Sequence, residues 1–133
     1  MPTDPGPYQI DSTRLVLTPG GDALPRAVTP DFFERLGELG DFAGHVLVMR
    51  FDFDEPWSTW EMHPAGDELV YLLSGDVDFH LRGGAREQVV RVDEPGSYVV
   101  VPRGVWHTAR PHAPTAMLFV TPGQGTENRE TPP

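Results

Sequence analysis

The chain has 133 residues, 20 Asp and Glu against 10 basic residues, a formal net charge of -10 and no cysteine. This length suits one domain able to bury about two thirds of its unfolded surface, and the missing thiols exclude disulfides and thiolate metal sites, so a bound metal must rely on His, Asp, Glu or water. The charge opposes nucleic acid or an anionic membrane as partner, and no apolar run approaches the roughly 18 residues of a spanning helix.

Residues 1–13 are polar and Pro-rich and are expected to form an N-terminal arm. They offer neither the basic region nor the apolar stretch of a signal peptide, so a cytoplasmic protein is expected. Arg14-Leu-Val-Leu-Thr18 reads as a short strand closed by Pro19-Gly20-Gly21. Thr29-Pro30-Asp31 supplies helix-start chemistry, and Phe32, Phe33, Leu36 and Leu39 follow at near-helical spacing, predicting one helix over about 30–39 that stops at Gly40.

From Gly44 the period becomes two. Leu47, Met49, Phe51 and Phe53 alternate with Val48, Arg50 and Asp52, as in a strand with one buried face. Trp57, Thr59, Glu61 and His63 are expected on the inward face of the next strand, with Trp60 and Met62 outward. Strands then follow over 68–73, 76–82, 88–92, 97–101, 105–110 and 115–121, separated by Gly- and Pro-containing turns; about eight short strands at regular spacing suggest a barrel or sandwich. The domain is placed at 14–121, with 122–133 as an extended C-terminal tail.

Chemistry concentrates in Trp60-Glu-Met-His-Pro-Ala-Gly-Asp-Glu68. Residues two apart in a strand face the same way, so Glu61 and His63 can converge on one point. A turn over Pro64–Asp67 lets Glu68, the first residue of the following strand, swing back towards them. Two carboxylates and an imidazole are a metal site short of one ligand. His107, in Gly96-Ser-Tyr-Val-Val-Val-Pro102-Arg-Gly104-Val-Trp-His107, is the candidate to complete it.

These two stretches resemble the paired motifs of the cupin superfamily. His63, Glu68 and Gly75 match the second His, the Glu and the Gly of its first motif, and Gly96, Pro102, Gly104 and His107 match the second at each spacing. Glu61 stands where the family has its first His, and Pro111 where it has a closing Asn. The resemblance covers about residues 42–121. It implies an all-β double-stranded β-helix, a jelly-roll barrel with one short N-terminal helix, and a divalent metal ion in the barrel mouth held by Glu61, His63, Glu68 and His107, with iron, manganese or zinc foremost and nickel also suited.

Glu61 has three readings: a ligand, a general base beside a metal held by fewer groups, or the partner of an arginine on the barrel wall. Trp57 shares the parity of Glu61 and His63 and is expected to line the pocket, and Arg110 is a candidate to bind a substrate carboxylate. His45, His80 and His112 are expected to be ordinary structural or surface residues. Three functions fit: a metal-dependent dioxygenase or isomerase of a small molecule, a non-catalytic module that captures a small ligand or a metal, and a barrel whose site has decayed. A homodimer is expected, because the Pro-rich arms suit exchange with a partner and the edges of an open jelly roll need cover.

Overall fold

The computed structural model describes residues 4–37 and 42–132. In chain order its elements are β1 (Thr13–Leu17), β2 (Ala23–Ala27), α1 (Phe32–Gly37), β3 (Val46–Phe53), β4 (Trp60–Met62), β5 (Glu68–Ser74), β6 (Val77–Gly83), β7 (Arg86–Val92), β8 (Tyr98–Val101), β9 (Trp106–Pro111), β10 (Thr115–Thr121) and β11 (Glu127–Arg129). The strands form two antiparallel sheets, one ordered β2-β1-β3-β10-β5-β8 and the other β11-β4-β9-β6-β7, a jelly-roll sandwich.

Alternation decides which side chains meet between the sheets. In β5, Val70 and Leu72 are fully buried while Leu69, Tyr71 and Leu73 lie on the other face; in β6, Val77, Phe79 and Leu81 turn inward. Together with Val101 and Met117 they form the main core, each burial worth about 1.5–3 kcal/mol relative to exposure. The link from β5 to β6 passes through Gly75 at φ 109°, where an added Cβ would lie 2.6 Å from the Pro114 carbonyl oxygen, so both conformation and space demand glycine there.

A second cluster of Val16, Phe32, Leu36, Phe42 and Leu47 seats α1 against β1 and β3. The helix is shorter than the predicted 30–39, and Glu38 and Leu39 lie outside the described residues. It also starts later. The Asp31 carbonyl accepts the first helical bond, from the Arg35 N–H at 3.0 Å, and its carboxylate accepts from Thr29 and Arg35. That places Asp31 rather than Thr29 at the cap, with Pro30 before the helix.

Two strands had no signature in the sequence. β2 is an edge strand, where Pro25 can lack its N–H without opening the ladder. β11 comes from the segment expected as a tail and pairs with β4, Asn128 opposite Glu61.

Candidate metal centre

β4 is only three residues long, because Pro56 and the Ser58 region hold 54–59 as a loop, yet Trp57, Thr59, Glu61 and His63 all border one cavity as their parity predicted. Pro64 ends the strand, and two bonds fix the returning turn: the Gly104 N–H donates to the His63 carbonyl at 3.0 Å and the Arg103 N–H to Asp67 Oδ1 at 2.8 Å. Asp67 thus ties this turn to the one before β9. Glu61 then lies directly opposite His107 across the β4–β9 pair, while Glu68 enters from the other sheet as the first residue of β5.

The four predicted ligands converge. Glu61, His63 and His107 each offer a donor atom within 4.8 Å of the other two. Glu68 spans the two rings, with Oε2 3.2 Å from His63 Nε2 and Oε1 3.2 Å from His107 Nε2. Glu61 Oε2 is 3.9 Å from His107 Nε2. His63, His107 and Glu68 are 5%, 0% and 3% exposed, whereas Glu61 remains 32% exposed at the cavity side.

Outer partners settle which ring nitrogen faces inward. The Thr126 hydroxyl donates to the Gly123 carbonyl at 2.9 Å, so its oxygen accepts from His63 Nδ1–H at 2.7 Å. His107 Nδ1–H donates to the Val105 carbonyl at 3.2 Å. Both Nε2 atoms therefore present lone pairs to the centre, the arrangement that metal-ligating imidazoles take. Thr121 donates to Glu68 Oε2 at 2.6 Å, orienting the carboxylate. Despite their proximity, His63 Nε2, His107 Nε2 and Glu68 Oε1 have no aligned hydrogen-bond partner. Buried electron-rich atoms facing one another need a cation between them, either a metal or protons. The donor set fits a divalent ion.

Charge within the cluster follows the same geometry. Burial pushes the Glu61 carboxyl up, aided by Glu68 and opposed by the histidines. Burial acts on Glu68 in the same sense, but close contact with His107 and His63 prevails and holds it at about 2. For His107 burial works against the imidazolium, but Glu68 prevails and raises it above the ordinary histidine value. Without metal, Glu68 thus favours a proton on His107.

The cavity beside this cluster measures about 1040 Å³. Its wall is largely aromatic and aliphatic, including Met49, Phe51, Phe53, Trp57 and Phe119. Trp57 packs edge-on to His107, ring centroids 6.2 Å apart, and to Phe79 at 5.9 Å. Arg110 does not join it. Three residues beyond His107 on β9, it falls on the opposite face and borders a separate cavity of about 270 Å³ with Trp60 and Glu130, which removes it as a reader of substrate in the main pocket. The remaining histidines are engaged elsewhere: His45 with the Ala43 carbonyl, His80 with Glu87 and His112 with Asp78. Thr121 and Thr126 were not foreseen; Thr121 shares the inward parity of Phe119, but nothing local marks Thr126.

A family model described as the cupin domain matches residues 47–124, more than half the chain. The chain belongs to the cupin family. No curated protein sequence gives a significant match. Among solved structures, this cupin is similar to hydroquinone 1,2-dioxygenase from Sphingomonas sp. TTNP3 with 4-hydroxybenzoate bound, at 17% identity and a TM-score of 0.51, over 57% of this chain and 58% of that one. It is likewise similar to Bacillus subtilis oxalate decarboxylase, described with Mn(II) centres, at 14% identity and a TM-score of 0.54, over 63% of this chain and 23% of that one. The cupin thus spans little more than half of the first protein and a quarter of the second, and at these identities the likeness is one of fold.

Proposed function

We propose that this cupin holds one divalent metal ion through Glu61, His63, Glu68 and His107 and uses it on a small molecule bound in the adjoining cavity, as a metal-dependent oxygenase or isomerase. The observation that carries the reading is the set of three buried, electron-rich atoms, His63 Nε2, His107 Nε2 and Glu68 Oε1, that face one another without hydrogen-bond partners. Two imidazoles and a carboxylate on one side of a site are a donor set suited to iron(II), manganese or zinc. Such an ion supplies Lewis acidity, polarising an oxygen of a bound molecule.

The chain's own residues supply the rest. Thr126 and the Val105 carbonyl keep the imidazole lone pairs aimed inward, and Thr121 holds Glu68 between them. Trp57 packs against His107 and joins Phe53 and Phe119 in an apolar wall beside the centre. Glu61, less buried than Glu68 and with its pKa raised, is placed to ligate or to move a proton at the cavity side.

Elemental analysis of protein purified without added metal, before and after chelation, tests this. About one divalent ion per chain, removed by chelator with a fall in Tm and restored by manganese, iron(II) or zinc, is the expected result. Protein that carries none of these and whose Tm is indifferent to all three rules the reading out. Oxygen uptake across candidate substrates then separates an enzyme from a binding module.

A further inference from the structure

The charges around the cavity select among ligands. Among the described residues that line it, the acids are Asp52, Asp54, Glu55, Glu61 and Glu68, and Arg14 is the one arginine. Asp52 is matched by Arg50, at 2.8 and 3.1 Å. Arg14 lies flat against the helix, its guanidinium carbon 4.7 Å from the centre of the Phe32 ring and 5.5 Å from that of Phe33. Four carboxylates therefore outweigh one arginine and a divalent ion together. Arg110, the residue expected to pair with a substrate carboxylate, opens onto the other cavity.

The apolar wall points the same way. Phe51 and Phe53 stack at 5.5 Å, and Phe53, Trp57 and Phe119 continue the surface inward, Trp57 contacting the other two at 5.7 and 5.9 Å. Phe51 remains 45% exposed, an open apolar face at the cavity wall. A ligand filling this space gains by covering aromatic surface and loses by bringing a negative charge beside Asp54 and Glu55.

We infer that the cavity takes an uncharged aromatic molecule and rejects the carboxylate of the same shape. The inference names the substrate class of the metal-dependent reading above and rests on it.

The test uses two ligands of one shape, a naphthalene carboxamide and the corresponding carboxylate, titrated calorimetrically into the full chain loaded with zinc. Zinc content is verified beforehand by elemental analysis, so failure to hold metal is seen separately from failure to discriminate. At low salt the amide should bind at least about tenfold tighter. The gap should shrink with added salt, since the rim acids are exposed. It should also shrink in the doubly substituted Asp54→Asn, Glu55→Gln protein, and Phe51→Ala should weaken both ligands several-fold. Equal or tighter binding of the carboxylate, binding of neither ligand to zinc-loaded protein, a gap unmoved by the double substitution, or indifference to Phe51→Ala would each overturn the inference.

Discussion

Thr126 shows how little contact a site needs to depend on a residue. It touches no candidate donor atom of the centre, yet its hydroxyl accepts from His63 Nδ1 and so leaves Nε2 as the lone pair. Thr126→Val should lower zinc affinity about 10- to 100-fold in competition with a chromogenic chelator, with the circular dichroism spectrum unchanged, while Thr126→Ser should keep most of it. Equal affinities in all three proteins would mean that Thr126 is packing alone. Glu68 and His107 set the pH response. Because the Glu68 pKa is lowered to about 2 by folding, its contribution to stability is complete above the ordinary carboxylate range and is lost as pH falls towards that value. His107 has the opposite sign: its pKa is raised, so its contribution is complete below the ordinary histidine value and fades as pH rises through the folded one. Metal-free protein should therefore lose Tm as pH rises above the ordinary histidine range. The increase in Tm produced by zinc should grow over the same interval, because the metal displaces the proton from His107. A zinc-induced shift that stays constant across it would show that proton and metal do not compete there.

Among the elements, β4 and β11 depend on each other. β4 carries Glu61 on three residues, and β11 covers its free edge with Asn128 opposite Glu61. The segment leading to β11 also delivers Thr126 to His63. Ending the chain after Pro122 should leave the main core folded, since its members all lie between Val70 and Phe119. It should cost at least about tenfold in metal affinity, measured by the same chelator competition; full affinity in the shortened protein would show that β4 holds Glu61 and His63 unaided. The same two strands mark where the sequence was legible. β3 and β6 announce themselves by alternation because one face is buried and the other is not, β5 and β10 read as short apolar runs bounded by turns, and the turns at 64–67 and Gly104 bring His63, Glu68 and His107 together. β11 has all three residues exposed and no apolar face, so period carries no trace of it; its pairing comes from the edge that β4 offers. Arg110 was misplaced for a related reason: its distance from His107 along β9 was visible, but its face had to be counted from the ligand.

At the scale of the whole molecule, the outer face of the six-stranded sheet carries an apolar band. Register pairs Leu15 with Val48, Val48 with Val120, Val120 with Leu69 and Leu69 with Val100, one apolar row across five strands. The next row joins Arg50, Leu118, Tyr71 and Tyr98. At about 4.8 Å between strands the band is about 20 Å wide, broad enough to form the centre of an interface of about 800 Å² per partner. Tyr98 and Val100, on the edge strand β8, are 59% and 50% exposed, which is costly for a monomer. Two chains of charge -10 repel wherever acids meet. These rows hold no acid, so a second copy can approach here with the least repulsion. We propose that the cupin is a homodimer joined through this face, which leaves the metal centre and its cavity, on the inner side of the sheets, open in both copies. Light scattering should give twice the chain mass at micromolar concentration. Leu118→Arg, facing its own copy across the two-fold, should yield a monomer with metal affinity retained, whereas the exposed Val89→Arg on the other sheet should stay dimeric. A monomeric parent protein, or a dimer that survives Leu118→Arg and a second change at Val100→Arg, would place the contact elsewhere or remove it.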